Sequence, residues 1–251
     1  MFLGKCIGLD TEEQARKIVC SLYDFGMIKT WYRDKPEGWT LVSGLWSPFY
    51  IQLRNLCSYP TLLKEIGEAM SQLLSSKIPK VSRIVGIAMA GIPIAVATSL
   101  VSGIPSAFTR KYDQGGTMTS DRTYGEHAFI EGEICNNDFL VIIDDVVTKM
   151  DSKFHAISQI QQEIKKHKIK GINCSTIAVV LDREQGASEI ASNKNISLHS
   201  LIRFKSQALP FLAEKMADKE LQVINDYLQN PRKYQDLLLQ KTLINEAISR
   251  K

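Results

Sequence analysis

From residue 83 onward, short apolar runs alternate with helical periods, and this alternation confines the chain to few folds. The segment "RIVGIAMAGIPIAVATSLVSGIPSAFTRK" reads as an apolar strand, a glycine-bearing turn, a helix and a second short strand. "FLVIID" leads into a helix from about 152 to 167, and "STIAVVLD" and "SLHSLIRF" supply two further strands. Strands separated by helices build βαβ units, whose strands lie parallel in one sheet. The fold class expected is therefore α/β, with a mainly parallel central sheet flanked by helices.

The segments outside this core carry other periods. Residues 11 to 25 place Ala15, Ile18, Val19 and Leu22 at helical spacing, and 60 to 76 do the same with Leu62, Leu63, Ile66, Met70, Leu73 and Leu74. Between 28 and 57, aromatic and β-branched runs are cut by "KPEG" and "SGLWSP", which predicts short strands in a small N-terminal β-rich lobe. The tail from 206 to 251 reads as helices interrupted at Pro231. Residues 112 to 125, "YDQGGTMTSDRTYG", have no apolar period and are expected to form a long mobile loop. With no internal repeat or linker, a single domain over 1–251 is expected.

Composition narrows the function classes. A chain of 251 residues, 44% apolar, can bury a full core. Its 31 Lys and Arg against 27 Asp and Glu leave a net charge of +4, too small and dispersed for a nucleic-acid footprint. Five scattered cysteines (Cys6, Cys20, Cys57, Cys135, Cys174) lack C-x-x-C spacing, so neither a disulfide framework nor a zinc site is expected, and a reducing cytoplasm fits. No apolar run approaches the roughly 20 residues that span a bilayer. Lys5, Asp10, Glu12 and Glu13 break any signal-peptide pattern. The expectation is a soluble, unprocessed protein with no membrane partner.

The chemistry concentrates after "FLVII". Asp144 and Asp145 are expected at the strand end, and Thr148 and Ser152 flank the start of the next helix. Ligands of open α/β sheets bind beyond the carboxyl ends of the strands, and a helix N-terminus presents N–H groups to an anion. The arrangement suits a ribose 5-phosphate, with phosphate on the turn and hydroxyls on the carboxylates. The alternative is a solvated pair of acids capping a strand, although paired acids beside a core are costly unless something binds them.

This strand, acid pair and Thr-to-Ser turn resemble the phosphoribosyl-pyrophosphate signature of type I phosphoribosyltransferases. "LVSGLWSPFYIQLR", "TRK" followed by "YG" and "EG", and "LDREQGA" narrow the resemblance to orotate phosphoribosyltransferases over roughly residues 37 to 215. That resemblance implies a type I phosphoribosyltransferase-like fold. It also implies a transfer in pyrimidine (UMP) biosynthesis: orotate and phosphoribosyl pyrophosphate give orotidine 5′-monophosphate and pyrophosphate. Mg2+ would act through the pyrophosphate and ribose, with Asp144 and Asp145 as candidate ligands.

Carried over by residue, Asp144 and Asp145 hold the ribose hydroxyls, Thr148 and Ser152 bracket the 5-phosphate, and Arg110 and Lys111 meet pyrophosphate. Arg183 grips the orotate carboxylate, for which a planar guanidinium is suited. Ser47, Phe49 and Tyr50 fall where the family's N-terminal segment touches the base, although both rings fit a core equally. The resemblance further implies a homodimer and allows a complex with a separate orotidylate decarboxylase.

The departures cluster on the phosphoribosyl side. Val42 stands where the family commonly has lysine, and Met89 and Ala90 where it has tyrosine followed by lysine or threonine. Arg122 aligns with the catalytic lysine, in a loop where 112–123 resembles an insertion. The turn "TKMDS" lacks the family's glycine: Met150 adds a side chain where close backbone approach is expected, and Asp151 repels a dianion. Lys149 either reaches over the phosphate or is an exposed loop lysine. A catalytically impaired homologue that senses a nucleotide or phosphoribosyl ligand is therefore the alternative function.

Overall fold

The computed structural model describes residues 11–41, 43–110 and 129–250. Val42, Lys111, Arg122 and the 112–123 segment lie outside them. In chain order the elements are α1 (Thr11–Asp24), β1 (Ile28–Thr30), β2 (Trp39–Thr40), β3 (Trp46–Ser47), β4 (Phe49–Ile51), α2 (Pro60–Lys77), β5 (Arg83–Gly86), α3 (Gly91–Ser102) and β6 (Ser106–Thr109). There follow β7 (Ile130–Glu131), β8 (Phe139–Val147), α4 (Asp151–His167), β9 (Asn173–Asp182), α5 (Ala187–Ser192), β10 (Ser197–Arg203), α6 (Leu209–Phe211), α7 (Asp218–Gln229) and α8 (Leu237–Ser249). The chain divides into two compact units, one of residues 1–55 with 202–251 and one of 56–201.

The larger unit carries the sheet, in the order β10-β9-β8-β5-β6-β7. β5 pairs in parallel with β6 and β8, β8 pairs in parallel with β9, and the short β7 runs antiparallel to β6. Both faces are covered, as a nearly continuous apolar strand requires. Alternation sends Val85, Ile142, Ile177 and Val179 into a core with Ala156 and Ile160 of α4 and Ala187 and Ala191 of α5. On the opposite face lies α3, whose Ala95 and Ile92 would meet any side chain at Gly86.

Chain order reverses between β5 and β8: from β5 the chain proceeds to β6 on one side, and from β8 to β9 and β10 on the other. Beyond Gly86 the β5 strand ends, while β8 continues beside β9 to Val147, pairing Asp144 with Val179 and Val147 with Asp182. The acids thus lie inside β8 rather than at its end as the sequence reading placed them. β9 is long enough to pair this extension, whose Val147 is itself buried.

Helix α3 meets this strand without a gap. A Cβ at Gly91 would collide with the Ile143 carbonyl and lie 3.1 Å from Asp144 Cα, so only glycine allows the helix to start there.

The smaller unit joins the N-terminal strands to the C-terminal helices. β1 pairs with β4 and β2 with β3, both antiparallel, and each strand has only two or three residues. Aromatic packing binds these ribbons to the tail: Phe49 stacks on Phe204 at 5.0 Å and meets Tyr227 edge-on at 5.8 Å, and Trp46 stacks on Tyr234 at 6.4 Å. The Trp31 indole N–H donates to the Leu243 carbonyl at 3.2 Å. The tail is therefore part of the lobe's core.

Met150, immediately before α4, is 1% exposed and packs with Val147 and Ala156 in the core of the larger unit. Met150→Ala should lower unfolding free energy by about 2 to 5 kcal/mol, the range for truncating a buried methionine. Urea denaturation checks this as a lower midpoint at unchanged slope. An unchanged midpoint would place the side chain outside the core.

Candidate active site

The carboxyl ends of β5, β6, β8 and β9 lie along one edge of the sheet, because these strands are parallel. There the chain supplies the turn from Ile87 to Ala90, Arg110, the turn from Thr148 to Met150, and Arg183 to Gly186. The β5/β8 reversal is a topological switch point, where the outgoing connections leave in opposite directions and open a crevice between them. Asp144 and Asp145 stand on the β8 side of that crevice, and a strand's pleat sends consecutive side chains to opposite faces.

The two acids have different environments. Asp144 is 6% exposed, and both its oxygens are engaged: Oδ1 accepts the Asp145 N–H at 2.9 Å, and Oδ2 lies 2.8 Å from Lys153 Nζ. Lys153, absent from the sequence-based candidates, is itself 3% exposed and also donates to the Val146 carbonyl at 2.6 Å and to Ser152 Oγ at 3.3 Å. Asp145 is half-buried, and its Oδ1 accepts the Val146 N–H at 2.7 Å. Burial, reinforced by the Asp144 charge, pushes its carboxyl up to about 7.

The turn "TKMDS" differs from its sequence reading. Met150 points into the core, so it does not obstruct the backbone face of the turn as expected. No residue from Thr148 to Ser152 adopts positive φ, which removes the conformational need for glycine. Asp151 occupies the first turn of α4, exposed, where its charge favours the helix dipole and opposes an incoming anion. Thr148 is half-buried, and Lys149 and Ser152 are exposed.

Arg183 is 7% exposed, and its N–H donates to the Val147 carbonyl at 3.0 Å, which fixes the "DREQG" turn to the end of β8. Asp182 Oδ1 accepts the Glu184 N–H at 2.8 Å, and Glu184 holds φ of 56°, an uncommon value for a side-chain-bearing residue. Arg110 pairs with Glu131 at 3.2 Å, and its carbonyl accepts from Gln159 Nε2 at 3.0 Å. The structure thus gathers Arg110, Asp144, Asp145, Thr148, Lys149, Ser152 and Arg183 on one sheet edge.

The remaining candidates belong to the smaller unit. Ser47 is fully buried and donates to the Phe49 carbonyl at 2.8 Å, and the Phe49 ring is wholly enclosed by Phe204 and Tyr227. Both are core residues here, the reading that the sequence also left open for Phe49. Tyr50 is half-buried and stacks on Trp39 at 6.0 Å.

Known proteins resemble this chain in sequence and fold, although no family model matches it. An orotate phosphoribosyltransferase of Methanosphaera stadtmanae is 33% identical over 165 residues, covering 65% of this chain and 82% of that protein. The UMP synthase structure of Leishmania donovani aligns with a TM-score of 0.70 at 25% identity, over 86% of this chain. The chain spans 42% of the length of that protein. An orotate phosphoribosyltransferase structure from Aeropyrum pernix, at 21% identity, shares the fold with a TM-score of 0.61 over 79% of this chain and 97% of its own. Identity of this extent across most of a relative's length, on a sheet of the same fold, means that the chain belongs to the orotate phosphoribosyltransferase family of pentosyltransferases.

Proposed function

We propose that this chain catalyses formation of orotidine 5′-monophosphate and pyrophosphate from orotate and phosphoribosyl pyrophosphate, in UMP synthesis. The observation that carries the reading is the acid pair at the β5/β8 switch point, directly before a turn into the N-terminus of α4. In the reaction an orotate ring nitrogen gives up its proton to pyrophosphate or solvent and forms a bond to ribose C1′ as the bond from C1′ to pyrophosphate breaks, and the electrons of that bond leave with pyrophosphate. The protein's task is to hold both partners and stabilise a leaving polyanion.

In this reading Asp145 accepts the ribose hydroxyls, Thr148, Ser152 and the α4 N-terminus receive the 5-phosphate, and Lys149 offsets Asp151. Arg183 pairs with the orotate carboxylate, Arg110 and Lys111 with pyrophosphate, and Arg122 acts in the loop. Magnesium enters as the companion of the donor's pyrophosphate. The chain's own residues do not fit a resident metal cage: Asp144 already holds an ammonium, and no group of three His, Cys, Asp or Glu able to bind a metal occurs among the described residues.

A second copy of the chain is part of the proposal. Val96, Leu100 and Val101 of α3, a helix with no charged residue, and the preceding Met89 are exposed apolar side chains, and such a face favours burial. We place the protein in the cytoplasm; among the described residues no helix is long and apolar enough to cross a membrane.

The test is orotate consumption with phosphoribosyl pyrophosphate and Mg2+, alongside calorimetry of each substrate. Orotidine 5′-monophosphate formation supports the enzyme. Donor binding without product supports the sensor alternative, which the glycine-free turn with Asp151 favours, and binding of neither ligand removes both readings. Arg183→Ala should weaken orotate binding roughly 10- to 150-fold, the equivalent of about 1.5 to 3 kcal/mol for charge-assisted hydrogen bonding, without loss of helical dichroism. Unchanged orotate affinity would defeat the assignment.

Asp145→Asn separates ligand use from structural use. The folded protein binds a proton at Asp145 up to about pH 7, whereas the unfolded chain releases it near the ordinary value of 3.8. Stability contributed at this site therefore falls as pH rises through that window. Asp145→Asn should melt progressively higher than the parent as pH rises from 4.5 to 7.5, while donor affinity drops about 10-fold or more. A melting difference that does not vary with pH would contradict the first half, and retained donor affinity the second.

A further inference from the structure

Lys153 is a buried cation that nothing in the sequence pattern of the acid pair calls for. Its ammonium pairs with Asp144 Oδ2 at 2.8 Å and donates to the Val146 carbonyl at 2.6 Å and to Ser152 Oγ at 3.3 Å. Those acceptors come from the acid strand and from the first turn of α4, so one side chain ties together the two halves of the phosphoribosyl site. The second Asp144 oxygen accepts the Asp145 amide at 2.9 Å, so both Asp144 oxygens are engaged by the protein. The partly exposed Asp145 is the member of the pair that a ligand can reach.

We propose that Lys153 is a positioning residue for the donor: from within the chain it supplies the positive charge at Asp144, fixes β8 against the start of α4, and leaves Asp145 alone to meet the ribose hydroxyls. The inference rests on the proposed phosphoribosyl-pyrophosphate site and assigns its two carboxylates different tasks. Asp144 is structural and internally neutralised, Asp145 faces the ligand. A site built this way aligns Ser152 and Asp145 before the donor arrives, since Ser152 is bound by the ammonium and Asp145 lies between two residues bound to it.

A purely structural ion pair would give the same coordinates, so the experiment removes the charges together. Lys153→Met alone strands a buried carboxylate and should destabilise the fold strongly, whereas Asp144→Asn with Lys153→Met leaves no buried charge and should recover much of the lost stability. The donor KM of that double variant should nonetheless stay at least tenfold above the parent, with the orotate KM within twofold. A native donor KM in the stable double variant would overturn the proposal. Should the double variant not fold, Lys153→Arg keeps the charge while its wider planar head displaces Ser152 or Val146. A fivefold rise in donor KM is then expected, and an unchanged value overturns the proposal. Calorimetry of the parent with phosphoribosyl pyrophosphate and Mg2+ runs beside each variant. If the parent binds no donor, the phosphoribosyl site itself falls and this inference with it. If the parent binds donor and the variants bind it equally well, only the role of Lys153 falls.

Discussion

The pair of Asp144 and Lys153 is the constraint around which the larger unit is arranged. Two carboxylates on consecutive residues of a strand packed on both faces carry a desolvation penalty of several kcal/mol per charge, and an isolated buried charge is not tolerated. Lys153 resolves this for one of them at 2.8 Å, while the other stays half-buried and is pushed toward its neutral form. Because the ammonium is carried on α4, the resolution works only if the helix begins where it does, three residues after Thr148. Strand length, turn length and helix phase are thereby coupled through one side chain.

The same coupling accounts for a turn without glycine. An anion can be received at a helix N-terminus either by a backbone cleared of side chains or by side chains directed elsewhere. In "TKMDS" Met150 goes into the core between Val147 and Ala156, and no residue requires positive φ. What the turn loses is charge balance rather than space, since Asp151 sits in the first turn of α4 beside the exposed Lys149. At ~6 Å and an effective dielectric of ~20, one such unit repulsion is of order 3 kcal/mol before screening. Screening by solvent and by Lys149 reduces it further.

Most elements of the fold were legible because their periods are strong. The apolar runs in "RIVGIA", "FLVIID" and "STIAVVLD" read as buried strands between helices, and the tail's break at Pro231 falls between α7 and α8. The smaller lobe was legible in its aromatic residues but not in its assembly, because Phe49 packing on Phe204 and Tyr227 is a long-range contact that no local period reports. Lys153 was missed for a different reason: a lysine in a helix is read as solvated. Its signal was its phase, since it lies three and seven residues before Ala156 and Ile160, both on the buried stripe of α4. A charge on that stripe must have a partner, and the acids just upstream of the helix are Asp144 and Asp145.

The orotate side of the proposed site is tied to the phosphoribosyl side through the backbone. The Arg183 amide donates to the Val147 carbonyl, the last residue of the strand that carries the acids, so displacement of β8 is transmitted to the arginine turn. That turn is held in an uncommon conformation: Glu184 keeps φ of 56°, and the Asp182 carboxylate accepts its amide. Strain of this kind, worth about 1 to 3 kcal/mol, persists only where surrounding contacts over-determine it. Here the contacts are the parallel β8–β9 pairing and Asp182 itself, whose second oxygen lies 3.4 Å from Ser188 Oγ of α5. A frame fixed at Lys153 on one side and at Asp182 on the other leaves Asp145 and the Arg183 head little independent freedom. Changes in the first turn of α4 should therefore be felt at Arg183 through β8.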